Sequence, residues 1–194
     1  AYAQAFTVSE QAQLVAVADV RLDAARALAE GVSGSVAFDC YKKMTEQAKF
    51  DAVVVCTPPV SHPEICISFL ERKIHVLCEK PLAINVAECE QMVAAIKKAK
   101  VVNMVCHNYR RIPAIAHAKR MIDRGDLGER IYHVRGRYAQ DWIADPNFPL
   151  VWRLQEKVSG SGTNGDINSH IIDIARYVVG DISEVCGLLE TFVK

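Results

Sequence analysis

The sequence predicts an α/β protein: a Rossmann-like doubly wound parallel sheet followed by the start of an α+β domain with a mainly antiparallel sheet. Three observations carry this. Short, near-continuous apolar runs alternate with helix-forming stretches as far as about residue 124, the pattern of a parallel sheet covered on both faces. The character then changes, with residues 131–140 (IYHVRGRYAQ) alternating like a half-solvated antiparallel strand. Polar clusters sit just past the ends of the apolar runs, where this architecture binds its ligands.

The elements follow in order. Residues 14–19 (LVAVAD) read as a strand and 22–30 (LDAARALAE) as a helix of strong helix formers. The pair recurs as 35–38 then 41–48, 52–56 (AVVVC) then 61–72, 74–78 (IHVLC) then 86–99, and 101–106 (VVNMVC) then 112–124. Ser61 with Glu64, and Asn85 with Glu88, have the spacing of capping boxes, which satisfy the orphan amides of a first helical turn. Beyond a long loop ending near Ser159, a helix is expected over about 166–179 and a strand over about 183–193. A domain boundary falls near 112–128, giving a first domain at 1–112 and a second domain at 113–194.

Composition narrows the function. The 194 residues are 51% hydrophobic and 24% charged, with 23 Lys+Arg against 23 Asp+Glu, so a nucleic-acid surface is not expected. No apolar run approaches the roughly 20 residues of a membrane-spanning helix, and the N-terminus lacks a secretion pattern, so the chain reads as cytoplasmic. Seven cysteines, an odd count with no CxxC pair, read as reduced core thiols and not as a metal site.

The candidate site residues lie past the strands. Asp19 ends the first run, where a carboxylate can accept hydrogen bonds from the ribose hydroxyls of an adenine dinucleotide or simply cap the next helix. The third run enters Thr57-Pro58-Pro59, with Ser61 and His62 next; the prolines stiffen a loop and the helix start offers amides to an anion. Glu79-Lys80-Pro81 follows the fourth run directly. A lysine there cannot easily reach bulk water, so it must be paired or face a polar cleft. The fifth run ends in His107-Asn108-Tyr109-Arg110-Arg111. Farther on, Asp166, His170 and Asp173 have spacings that place all three on one helical face, as a base with orienting acids or as a cap and a semi-buried histidine. Glycines before that helix suit a backbone that approaches a ligand or the other domain.

The order of Asp19, Thr57-Pro58-Pro59 with His62, Glu79-Lys80-Pro81, the stretch from Asn108 to Pro113, Trp152-Arg153, and Gly165-Asp166-x3-His170-x2-Asp173 resembles the Gfo/Idh/MocA family of NAD(P)-dependent oxidoreductases, and within it the inositol and sugar dehydrogenases. The resemblance implies hydride transfer between a secondary alcohol of a cyclic polyol or sugar and NAD, with NADP also possible. It implies that Lys80 binds the reacting hydroxyl, that His170 is the acid/base supported by Asp166, that Asp173 binds a substrate hydroxyl, and that Arg153 contacts substrate. Asp19, Thr57, Pro58, His62, Glu79, Lys80 and Asn108 would hold the cofactor. The Lys80-Pro81 bond is often cis in such proteins. A homo-oligomer, dimer or tetramer, is expected, with no metal.

The sequence also departs from the family. It has no G-x-G-x-x-G, and residues 1–9 read as the end of a first helix, so the first strand and its glycine loop are expected upstream of Ala1. The second domain's sheet has barely begun at Lys194. Two other readings follow: a non-catalytic fragment or interaction subunit of this fold, and a relative acting on a non-sugar substrate such as an imine or a biliverdin-like acceptor.

Overall fold

The computed structural model describes residues 2–191 and separates into two compact units, 1–53 and 54–194. The first contains α1 (Tyr2–Thr7), β1 (Ala16–Ala18), α2 (Leu22–Glu30), β2 (Val36–Phe38) and α3 (Tyr41–Gln47). β1 and β2 run parallel, with Ala16 opposite Val36 and Ala18 opposite Phe38. Ala25 and Ala29, one helical turn apart on α2, are buried, as is Met44 of α3. Small residues let the helices lie close to the strands, but they bury little apolar area, so this unit has a thin core.

The second unit carries β3 (Ala52–Val55), whose first two residues belong to the first unit, then α4 (His62–Glu71), β4 (His75–Cys78), α5 (Val86–Ala99), β5 (Asn103–Val105) and α6 (Pro113–Asp123). These strands form a sheet of order β3-β4-β5, with β4 and β5 parallel and Cys78 opposite Val105. Its core joins Cys66, Phe69 and Leu70 of α4 to Val55, Val76 and Cys78 of the strands and Met92 of α5. Full burial of Phe69 or Leu70 is worth about 1.5–3 kcal/mol. Lys73 and Lys100, at φ 62° and 56°, turn the chain out of α4 and α5. Lys73 also donates from Nζ to the carbonyls of Lys98 and Ala99 at the end of α5, where a cation suits the helix dipole.

Strands and helices alternate as the apolar runs predict. A doubly wound sheet of order 3-2-1-4-5-6, taken without strand 1, divides into 3-2 and 4-5-6. Two separate sheets of that order are present, β2-β1 and β3-β4-β5.

Several local expectations are corrected. The Asn85 side chain accepts the Glu88 amide at 2.9 Å, but the Glu88 carboxylate receives the Ile84 amide in place of the cap residue's own. Ser61 does not cap α4: its hydroxyl bonds to the Thr57 hydroxyl and the Pro58 carbonyl, inside the 3-10 turn Pro59–Ser61 that precedes the helix. Residues 131–140 form no strand, because a strand needs a partner ladder and this segment makes none among the described residues. Residues 183–191 are likewise not a strand, and 192–193 of that prediction lie outside the described residues. The expected helix over 166–179 is a π-helical turn, Asn164–Asn168, running into α8 (Ser169–Val178). The short α7 (Glu156–Ser159) precedes it.

None of the seven cysteines forms a disulfide, and only Cys66 and Cys78 are buried, while Cys56 and Cys186 are exposed. Among the described residues no helix is long and apolar enough to cross a membrane, and no group of three or more His, Cys, Asp or Glu could hold a metal ion.

Candidate functional site

Two turns that leave the sheet of the second unit, one after β4 and one after β5, meet the π turn and α8. At the first, the Lys80-Pro81 peptide is cis. The Lys80 side chain, 14% exposed, donates from Nζ to Asp166 Oδ1 and to the Asp166 carbonyl oxygen, both at 2.7 Å. The lysine that cannot easily reach bulk water is therefore paired, through a contact spanning 86 residues of sequence. Glu79 folds back so that its carboxylate accepts the Lys80 amide.

The π turn supplies the acceptor. Ser169 reaches back to the Asn164 carbonyl, a five-residue step that widens the helix where Asp166 faces Lys80. The loop before it packs closely. Gly160 has φ +79°, and a Cβ there would stand 3.0 Å from the Ile84 carbonyl oxygen. Gly160 thus approaches the turn that follows Lys80, and its missing side chain is what the close contact requires.

His170, on α8, is 7% exposed. Its ring lies face to face with Tyr109, centroids 4.0 Å apart and planes 12° from parallel, with the edges of His107 and Tyr138 at 6.2 and 6.3 Å. Burial pushes its pKa below the ordinary imidazole value; the Lys80 and His107 charges push the same way, and Asp166 and Glu79 oppose. His107 is lowered chiefly by burial too, against the pull of Asp173. Nδ1 of each histidine is buried without a hydrogen-bond partner, and a ring nitrogen left so is a position a ligand can satisfy.

Asp173, one turn past His170, is held by Arg110. The guanidinium donates from Nε to Oδ2 at 2.8 Å and from Nη2 to Oδ1 at 2.5 Å, a two-pronged grip on a nearly buried carboxylate. Arg110 also lies over the Tyr177 ring.

Lys80, Asp166, His170 and Asp173 thus gather in one cluster, but their pairing differs from the helical-face expectation. Asp166 bonds to Lys80 and not to His170, and both oxygens of Asp173 are taken by Arg110. His62, expected to bind cofactor, is fully buried, with Nε2 2.7 Å from the Thr57 carbonyl and Nδ1 3.0 Å from that of Pro81. With both nitrogens on backbone oxygens, it ties the turn after β3 to the turn after β4. Thr57 and Pro58 are half-buried in the first of those turns, Glu79 is half-buried beside Lys80, and Asn108 is exposed at the start of the 3-10 turn Asn108–Arg111. Arg153 is exposed and lies over the neighbouring Trp152 ring, 4.3 Å from its centroid, and is not among the groups bonded to Lys80 or Asp166. In the first unit, Asp19 is exposed just past β1, with Oδ1 accepting the Arg21 amide at 2.8 Å. The sequence reading missed Arg110 and Tyr138 as partners. Arg110 sits 63 residues from Asp173 and Tyr138 sits 29 from Tyr109, and local spacing carries no signal at that range.

Residues 1–107 match the family model described as an oxidoreductase family with an NAD-binding Rossmann fold, and residues 115–194 match the GFO/IDH/MocA C-terminal domain. The chain is 45% identical over 153 residues to levoglucosan dehydrogenase of Pseudarthrobacter phenanthrenivorans, covering 79% of this chain and 39% of that protein. It is 30% identical over 181 residues to myo-inositol 2-dehydrogenase of Thermotoga maritima, covering 93% and 51%. A solved levoglucosan dehydrogenase in complex with NADH and levoglucosan superposes with a TM-score of 0.87 at 40% identity, over 92% of this chain and 48% of that one. The chain therefore spans about two fifths to one half the length of these relatives.

Proposed function

Because the chain belongs to the Gfo/Idh/MocA family of oxidoreductases, we propose that the protein of which it forms part oxidises a secondary alcohol of a sugar or cyclitol with NAD. One observation carries the reading: Lys80, paired with Asp166, lies beside a histidine whose lowered pKa keeps it neutral near pH 7. A neutral imidazole can accept the hydroxyl proton as the alcohol carbon loses hydride, and a positioned base of this kind contributes about 10²- to 10⁴-fold. The Lys80 ammonium, with three donors, binds the same oxygen and stabilises its developing negative charge. Asp166 holds Lys80 in place. The relatives named for levoglucosan and myo-inositol support a cyclic polyol as substrate.

NAD, when bound, accepts the hydride. The two buried, unpartnered histidine nitrogens and the rim formed by Thr57, Pro58, Glu79, Lys80 and Asn108 suit a ligand at the ends of the strands. Asp19, exposed past β1, suits a ribose diol and disfavours a 2′-phosphate by charge repulsion. Residues 1–112 serve as the dinucleotide domain and 113–194 as part of the substrate and oligomerisation domain of a homo-oligomer. Seven cysteines without a disulfide favour the cytoplasm.

The test is NAD reduction by the full-length protein over a panel of inositols, pyranoses and levoglucosan. Turnover on at least one of them is expected, and Lys80→Ala lowers its kcat by about 10²- to 10³-fold. Wild-type turnover in that variant overturns the assignment of Lys80.

A further inference from the structure

A histidine base is commonly oriented by a hydrogen bond to its second ring nitrogen, often from a carboxylate. His170 has no such bond in this cluster. Its Nδ1 is buried without a partner, and the nearby Asp166 carboxylate is committed to Lys80. What fixes the ring is the face of Tyr109, 4.0 Å away and nearly parallel.

Tyr109 is itself held. Its hydroxyl shares a 2.7 Å hydrogen bond with the Tyr138 hydroxyl, which accepts Gln140 Nε2 at 2.8 Å. Gln140 Oε1 in turn accepts Trp142 Nε1 at 2.8 Å, and the Trp142 ring packs edge-on against Phe148. A chain of side chains thus anchors the irregular segment 138–142 to the 3-10 turn after β5. It ends on the ring that covers His170.

We propose that Tyr109 is a positioning residue for His170: its ring sets the imidazole plane and screens it from water, and the Tyr138–Gln140–Trp142 chain keeps that ring in place. Lys80 and Glu79 after β4, His107 after β5, Asp166 in the π turn and Tyr138 are the titratable groups facing the imidazole. Removing the Tyr109 ring leaves all of them in place and lets water reach the imidazole. Burial is the largest influence holding the His170 pKa down, so its midpoint moves up toward the ordinary imidazole value.

The kinetic half of this inference rests on the dehydrogenase reading, and the spectroscopic half does not. Tyr109→Leu and Tyr109→Phe are made in the full-length protein, and the His170 ring signal, identified by its loss in a His170→Asn variant, is titrated by NMR beside steady-state kinetics. Tyr109→Leu is expected to raise the His170 midpoint, to move the acid limb of the kcat/KM profile the same way, and to lower kcat about 10- to 100-fold with KM nearly unchanged. Tyr109→Phe keeps the aromatic face but cuts the hydroxyl bond to Tyr138, and is expected to fall between wild type and Tyr109→Leu in both properties. An unmoved midpoint in Tyr109→Leu overturns the proposal, and so does equal damage from Phe and Leu. If Tyr109→Leu does not fold, Tyr109→Met keeps the bulk without the aromatic face and is read in the same way. A wild-type protein that turns over none of the polyols overturns the dehydrogenase reading alone, because the NMR midpoints are measured without turnover.

Discussion

The two ends of the π turn and α8 stretch carry the same chemical group in opposite states. Asp166 meets a lysine and Asp173 meets an arginine. Lys80 is a compact charge on a flexible stem that gives Asp166 two of its three donors, so it can exchange a partner for a substrate oxygen with little rearrangement. Arg110 grips both oxygens of Asp173 in a planar fork, and His107 Nδ1 lies 3.9 Å from Oδ2. On the proposed reading, two aspartates seven residues apart are divided between chemistry and support. The family resemblance implies that Asp173 is a substrate ligand, a role it would share with its grip on Arg110.

Substitution at each end measures this division. The largest expected effect is at the chemical end: Asp166→Asn keeps an oxygen but loses the charge, and is expected to lower kcat on the best polyol about 100-fold. Urea unfolding should move by less than about 1 kcal/mol, since the pair is partly solvated. At the supporting end the balance reverses. Arg110→Ala leaves a nearly buried carboxylate without its partner and is expected to cost about 1–3 kcal/mol in the same unfolding experiment. The lower part of that range reflects the partial exposure of the arginine, 41% of its side chain. Arg110→Lys should recover part of the loss, because one point charge replaces only one prong. If Arg110→Ala lowers kcat as strongly as Asp166→Asn without lowering stability, the division is wrong.

The smallest effect concerns pH. His107 and His170 have folded-state pKa values below the unfolded one, so the unfolded chain binds more protons as pH falls through about 6.5. The stability of the second unit should therefore decline with acidification through that region and level off below the folded values. Thermal unfolding followed from pH 8 to 5 reads the slope, and His107→Asn should flatten it in part. A stability that rises on acidification would contradict the burial assigned to both rings.

The alternation of strands and helices was legible because apolar runs and helix formers are local signals, and the Asn85 cap was legible because its partner is three residues away. Ser61 has the same spacing but found nearer acceptors in Thr57 and Pro58, which the stiff proline turn brings to it. The segment 131–140 alternates without a ladder, and every residue in it but Ile131 and Tyr138 is exposed, so its alternation marks no covered face. Lys80 stood out as a charged side chain at the end of a buried strand, which is a physical anomaly visible in one dimension. Arg110 looked like one member of a basic cluster. Its pairing with Asp173, like the stacking of Tyr109 on His170, joins residues about 60 apart and leaves no periodic trace.

The π turn has a mechanical consequence. A regular α-helix advances about 100° per residue, so side chains seven apart are locked into one stripe. A single widened turn inserts a phase slip between Asp166 and Asp173 and frees each to be aimed independently. One rod can then dock against two neighbouring turns of the sheet without either aspartate dictating the bearing of the other.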